Sequence, residues 1–316
     1  MRLKLLLIAV LLSLPAPSSG AHARRGGERA GARPAESSLS VNPDVDVTLC
    51  VASGHVTVRG WGRNNEARAV SSTAARVELR PEAGSGSASR LKVLVYETGE
   101  AADAEQGAEC RAFGNVELQV PRGATVRLKT RSGNVTVEDL GVAFVETVSG
   151  DVDLRRIAGA VEAASISGHV FLEGCGGAVR LRSSSSNVKA TDARAGAASD
   201  ELIVKSMSGE VALKRVDYRR VEATSVSGNL RMSAPLSAAG NYELKSTLGD
   251  VTLTLPGNLS FRVEATVSRK GEVVSDFPLE GGASRPSSRQ LSGTYGGGGM
   301  TLKVSSFSGT VRLRRE

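Results

Sequence analysis

Few residues in this chain could do chemistry. His22, His55 and His169 are the only histidines, so a His-ligated metal centre or a histidine base has little to draw on. No HExxH and no paired CxxC gives zinc-ligand spacing. Asp151 and Asp153 could serve acid–base work or bind calcium, but the Gly-rich nonapeptide calcium repeat is absent. Gly296 to Gly299 is not followed by Lys-Ser/Thr, so it is no phosphate loop. Ser183 to Ser186 lies in no G-x-S-x-G elbow. Cys50, Cys110 and Cys175 complete the inventory. No catalytic residue, no metal site and no cofactor is expected.

The elements that carry these residues come from an internal repeat, the feature to seek first in a Gly-rich, low-aromatic chain. Ser-Gly recurs at 132–133, 149–150, 167–168, 208–209, 227–228 and 308–309, with Ser185-Ser186 and Leu248-Gly249 in the same phase. From Gly133 to Gly249 the steps run 17, 18, 18, 23, 19 and 21 residues. Two residues before the repeat serine every unit has a hydroxyl, from Thr130 and Thr147 to Ser246 and Ser306. Four before, every unit is apolar, and three and five after are Val, Leu, Ala or Met. This period of two means strand, tight corner, strand. Glycine at the corner accepts positive φ without steric cost. A unit that cannot bury its own apolar edge is stabilised by stacking. The fold class is therefore all-β: a β-solenoid or β-roll of stacked two-strand coils of about 18 residues. The Ser and Thr rows are expected to exchange hydrogen bonds along the stack.

Further units appear at Phe113-Gly114 and Ser53-Gly54. The Phe113 unit fits the corner phase, 19 residues before Gly133. About three coils should fill the 60 residues between Gly249 and Gly309. Residues 84–90, 99–109 and 281–299 read as loops. The expected organisation is an irregular N-terminal part over 41–121, regular coils over 122–260 and degenerate coils over 261–316, all in one domain.

The repeat also reinterprets the candidate residues. His55, His169, Asp151 and Asp153 fall at corner or outward positions where other units have assorted polar groups, so they read as turn and surface residues. Cys175 takes a position filled elsewhere by Leu140, Ile157 and Val216 and should be a buried small side chain. Cys50 points away from the core, and Cys110 precedes the Phe113 unit. In an oxidising compartment Cys50 and Cys110 are the expected disulfide pair, with three free thiols as the alternative. The outward face carries Lys129, Glu146, Arg182 and Lys205 at one strand position and Arg127, Glu162 and Arg180 at another. Arg180, Arg182 and Lys205 are the candidate contacts for an anionic polymer; a solvated face is the plainer reading.

The ends of the chain explain its charge. Arg2 and Lys4, an apolar run from Leu5 to Leu14, and Ala21-His22-Ala23 form a signal peptide, residues 1–23. Residues 24–40 read as a disordered basic linker. Removing residues 1–23 takes the net charge from +7 to +5, and residues 24–33 carry +3, so residues 34–316 hold only +2. That is too little for a nucleic-acid face. No second apolar run of about 20 residues is present, so the exported chain is expected to be soluble, in the periplasm or at the surface.

Ser53-Gly-His-Val-Thr-Val-Arg-Gly-Trp61, the recurring Val-Ser-Gly-Asp/Asn-Val-x-Leu and the stretch from Met300 to Leu313 resemble the bacterial putative-adhesin family, domain of unknown function 4097. The resemblance spans roughly residues 41–316. It implies exported β-strand-repeat envelope proteins, adhesin-like by assignment and without established catalytic residues. The expected function is a non-enzymatic adhesin-like or scaffold protein that binds envelope or surface polymers or glycans. A polysaccharide-active β-helix enzyme is the alternative, although eleven aromatics leave few rings for sugar stacking. An envelope-stress accessory protein is a third reading.

Overall fold

The computed structural model describes residues 35–71, 75–82, 87–97, 110, 113–281 and 289–316, within one compact unit, Pro34–Glu316. The leader over 1–23, most of the linker, and the loops expected over 84–86 and 99–109 lie outside the described residues. The strands are β1 (Ala35–Ser53), β2 (Val56–Trp61), β3 (Glu66–Ser71), β4 (Ala75–Pro81), β5 (Ala88–Glu97), β6 (Val116–Pro121), β7 (Thr125–Ser132), β8 (Val135–Glu138), β9 (Val142–Ser149), β10 (Val152–Arg155), β11 (Val161–Ser167), β12 (Val170–Glu173) and β13 (Val179–Ser183). They continue with β14 (Val188–Thr191), β15 (Glu201–Ser208), β16 (Val211–Lys214), β17 (Arg220–Ser227), β18 (Leu230–Ser233), β19 (Asn241–Ser246), β20 (Val251–Leu255), β21 (Phe261–Lys270), β22 (Val273–Ser275), β23 (Gln290–Tyr295), β24 (Met300–Ser308) and β25 (Val311–Arg315).

The architecture is the all-β solenoid that the repeat predicts. From β7 to β20 each coil has a longer strand, a tight corner (Ser-Gly except at Ser185-Ser186 and Leu248-Gly249) and a shorter strand, and each strand pairs in parallel with its counterpart in the next coil. Register follows the repeat: Ser132 lies beside Ser149, and Val135 beside Val152. The longer strands make one sheet, here the long-strand sheet, and the shorter strands make the other.

Alternation fills the space between the sheets. Val135, Val152, Val170, Val188 and Val211 are buried from the short-strand side, and Leu128, Val145, Ala163, Leu181 and Val204 from the long-strand side. Narrow coils accept these small branched side chains on a pleated surface. Larger rings collect at one end, where Phe261, Phe277 and Tyr295 pack with centroids 5.0 to 5.4 Å apart.

Both ends depart from sequential stacking. The Phe113 unit does not adjoin the Ser132 unit. β1 pairs with β7 on one side and β5 on the other, and β2 lies between β6 and β8. At the other end β24 pairs with β19 and β21, and β25 with β20 and β22. The first and last coils of the chain are therefore interior to the stack, and one coil plus a hairpin occupies the span where three coils were expected. Antiparallel strands finish the ends: β4 on β5, β3 on β6, and β23 on β21. Capping of this kind blunts edges that would otherwise recruit other strands.

Three expectations about irregular segments are corrected. Ala35–Ser40, assigned to the linker, pair antiparallel with Glu66–Ser71. Ala88 to Arg90 belong to β5, and Gln290–Tyr295 to β23, rather than to loops. Each pairs with a segment distant in sequence, which short Ser- and Gly-rich stretches do not announce locally.

The hydroxyl rows are also corrected. Thr130, Thr147, Ser165, Ser183, Ser206, Ser225, Ser246 and Ser306 are buried, but they do not bond to one another. Thr130 and Thr147 donate to the carbonyls of Ser132 and Ser149 (3.2 and 3.3 Å), and Ser246 and Ser306 to those of Gly228 and Gly249 (3.3 and 3.0 Å). The Ser132 and Ser149 carbonyls also accept a backbone N–H from a neighbouring coil, and the hydroxyls of Ser165, Ser206 and Ser225 have no partner among the described residues.

Candidate functional site

The Ser-Gly corner turns the chain so that alternate residues of the preceding long strand face outward. Three outward rows run across the sheet, five, three and one residues before the corner serine. The candidate cations occupy the first two. Arg182 donates to Glu162 at 3.4 Å, and Lys205 lies 3.3 Å from Glu222. Lys129 pairs with Glu146 at 2.8 Å, and the Arg127 guanidinium stacks 4.4 Å from the Phe144 ring centroid. Further along, a hydrogen bond from Lys245 holds the Glu243 carboxyl below its ordinary value, and Glu243 raises the Lys245 ammonium in turn. Arg180 is exposed and has no ion-pair partner among the described residues. The structure thus places Arg180 and Arg182 on one strand and Lys205 on the next, with two of the three cations neutralised by neighbouring acids.

The third row differs in kind. Val148, Ile166, Met207, Val226 and Phe307 each precede a corner serine and are exposed, Ile166 by 51% and Met207 by 60%. Arg131, Ser184 and Thr247 complete the row by register. Single exposed apolar residues need no explanation, but a row of them, interrupted only at Ser184 and Thr247, does. Its signal was in the sequence, because alternation turns this position outward and its apolar residues repeat with the corner.

A groove runs between the second and third rows. It spans six long strands, from Lys129 on β7 to Val226 on β17, with a volume of about 700 Å³. Its walls are the charged row on one side and Val148, Ile166 and Met207 on the other, and its floor is the strand backbone at the buried hydroxyls. Five interstrand steps make it about 24 Å long. The floor's N–H and C=O groups are already paired in the parallel ladder, so the groove is predominantly apolar.

Other groups with chemical potential serve the fold. The backbone N–H of His169 donates to Asp151 Oδ1 (2.9 Å), that of His55 to Asn115 Oδ1 (2.8 Å) and that of Glu210 to Asn187 Oδ1 (2.8 Å), so the accepting corner side chains bridge successive coils and the imidazoles take no part in these bonds. Asp250 extends this row: burial pushes its carboxyl up, but the Thr310 N–H and the Arg312 guanidinium outweigh that and hold it below its ordinary value. Asp153 accepts from Arg155 (Nε to Oδ1, 2.9 Å). Burial pushes the Cys175 thiol up to about 11, and raises Tyr218 and Tyr242 as well. All three face the core, so none can act on a molecule at the surface. No group of three or more His, Cys, Asp and Glu suited to a metal ion occurs among the described residues. A disulfide joins Cys50 on β1 to Cys110, with Cα atoms 5.2 Å apart.

Three solved structures align with the chain at low identity and low TM-score. A putative cell adhesion protein from Clostridium sporogenes aligns at 9% identity over 90% of this chain and 100% of its own, with a TM-score of 0.22. A putative lipid binding protein from Parabacteroides distasonis aligns at 12% identity over 88% and 96%, with a TM-score of 0.44. A putative adhesin from Bacteroides fragilis aligns at 12% identity over 90% and 98%, with a TM-score of 0.37. No curated protein matches the chain. The model of the Toastrack DUF4097 family matches residues 109–314, which include the coils from β6 onward and the candidate rows, and the chain belongs to that family.

Proposed function

We propose that the chain is an exported, non-enzymatic adhesin-like or scaffold protein of the bacterial envelope, and that the outer face of the long-strand sheet is its binding face. The observation that carries this reading is the apolar row with its groove, on a face whose charges largely neutralise one another. Extended solenoid faces suit elongated partners, and the partners proposed are envelope or surface polymers or glycans. Arg180, with Arg182 and Lys205 beside it, would meet their anionic groups.

Export rests on the leader over residues 1–23, with cleavage after Ala23. The Cys50–Cys110 bond supports it, since disulfides persist in oxidising compartments. No helix among the described residues is long and apolar enough to cross a membrane. The reading as a non-enzyme rests on the corner acids Asp151 and Asp250 accepting hydrogen bonds between coils.

The test starts from cells expressing the full chain. N-terminal sequencing of the exported protein should begin at Arg24. That protein should bind cells, delipidated envelope polymer or a glycan panel, and the Ile166→Glu, Met207→Glu double variant should bind less at unchanged thermal midpoint. A protein that binds none of these, or that releases reducing ends or unsaturated products from a polysaccharide panel, sinks the reading.

A further inference from the structure

The groove between the second and third outward rows has a chemistry more specific than a generic binding face. Its long wall, Val148, Ile166, Met207 and Val226, is apolar but for Ser184, and its floor is ladder-paired backbone with the buried hydroxyls between. An occupant must therefore bring apolar surface along that wall.

One end differs. On β7, Arg131 occupies the place in the apolar row next to Val148, and Lys129 lies two residues before it. Arg131 is exposed and has no ion-pair partner among the described residues. Arg131 thus stands beside Val148 at one end of the groove, just outside the residues that line it. The complementary molecule has one anionic head and one long apolar tail. The groove is longer than half the ~30 Å hydrocarbon core of a bilayer, which is the span of one lipid tail. Its volume of about 700 Å³ is that of an ordinary ligand site.

We infer that the groove binds a long-chain fatty acid, with the carboxylate at Arg131 and the acyl chain lying across β9, β11, β13, β15 and β17. This rests on the reading that the outer face of the long-strand sheet is the binding face. A second copy of the chain would need roughly 800 Å² per partner, and a strip two rows wide favours a single chain instead.

The experiment titrates delipidated full-length protein with palmitate and with hexadecanol, read by native mass spectrometry and calorimetry. Palmitate should bind one to one and saturably. Ile166→Glu and Met207→Glu should each weaken it at least tenfold; both side chains point to solvent, so the variants should keep the wild-type thermal midpoint. Arg131→Ala should weaken palmitate at least fivefold and leave hexadecanol within twofold. No saturable binding, binding indifferent to Ile166→Glu, or an Arg131→Ala effect equal on both ligands overturns the inference. So does a dimer in sedimentation that Ile166→Glu dissociates without any palmitate binding, or association with phosphatidylglycerol vesicles without binding of monomeric palmitate. Retained binding to delipidated envelope polymer in any of these cases would leave the binding-face reading standing and sink only the fatty-acid site.

Discussion

Arg156 lies one coil after Asp139 and grips its carboxylate through two hydrogen bonds, Nε to Oδ1 at 2.8 Å and Nη2 to Oδ2 at 2.9 Å. Both residues sit in the left-handed region, φ 52° and 58°. Arg215 and Asp192 repeat the arrangement at 2.7 and 2.6 Å, with φ 49° and 54°. This second corner, after the short strand, needs a left-handed residue in each of these coils. Where Gly174 supplies it (φ 63°) nothing more is required. Elsewhere the cost of a side chain there is offset by a bidentate ion pair between coils.

The pair has a pH signature. The hydrogen bond from Arg156 holds the Asp139 carboxyl below its ordinary 3.8, and Arg215 does the same for Asp192. A carboxyl lowered on folding contributes stability above its unfolded pKa and loses it as pH falls through the folded value. The wild type should therefore exceed an Asp139→Asn, Asp192→Asn double variant in thermal midpoint by a constant margin from pH 7 to about pH 4. The margin should shrink at lower pH, and should narrow in high salt because the pairs are exposed. A margin that widens on acidification would contradict the arrangement.

Corner glycines with positive φ should tolerate no side chain; the Ser185-Ser186 corner, without positive φ, is the exception. A Cβ on Gly150 would lie 2.2 Å from the Gly133 carbonyl oxygen, at φ 126°, and one on Gly133 would lie 2.0 Å from that of Gly54, at φ 116°. Strain and clash coincide, and neither can relax without moving the next coil. Gly150→Ala should cost about 3 kcal/mol or more. Gly62, with open space around its Cβ position, is the control, and Gly62→Ala should stay within about 0.5 kcal/mol. Urea midpoints compare them, and equal midpoints would refute this account of the corner.

The disulfide and the lone thiol separate cleanly. Cys50 and Cys110 are 60 residues apart, and closing such a loop restricts the unfolded chain by up to about 4 kcal/mol. Cys50→Ser with Cys110→Ser should lose about 2 to 4 kcal/mol. Cys175 is buried, with its thiol pushed up to about 11, and only a thiolate reacts readily. Without reductant, the native protein should show no thiol reactive at pH 8 and one after unfolding. Three reactive thiols in the native state would exclude the bond.

The solenoid was legible because period two and the repeated corner act together. Val135 and Leu154 face inward for the reason their counterparts in every coil do, and Ser149 stacks on Ser132 because one register buries all of them. The second corner was not legible, since Asp139, Arg156, Gly174 and Asp192 share a left-handed backbone but no one side-chain type. Nor were β3 and β23, because antiparallel pairing with a distant segment leaves no local mark. The partners of the buried hydroxyls escaped for a subtler reason: both a neighbouring hydroxyl and a corner carbonyl lie within reach of Ser306, and only the turn geometry selects the Gly249 oxygen. At the candidate site the charged rows were visible as residues, but their neutralisation depends on rotamers such as Arg182 on Glu162. The apolar row was readable throughout, from Val148 to Phe307.

The swapped order of the last coils gives the sharpest test of the fold. In a solenoid stacked in sequence, each coil touches only its neighbours, and deleting the last one shortens the stack by one unit. Here β24 and β25 lie inside, between β19–β20 and β21–β22. A chain ending at Gly299 loses the strand that joins its cap, and uncovers β19 and β21 on facing edges together with Phe261 and Val263, which are now fully buried. Such edges recruit other chains. The truncated protein should unfold with reduced cooperativity, suffer rapid cleavage between residues 256 and 299, and self-associate. A synthetic peptide of residues 300–316 should restore protease resistance by occupying the vacant rung in parallel register, and a variant peptide with Leu302→Asp and Val304→Asp should not, because both side chains enter the core. A monomeric truncated chain with an unchanged transition would mean that the last coil sits on the outside of the stack.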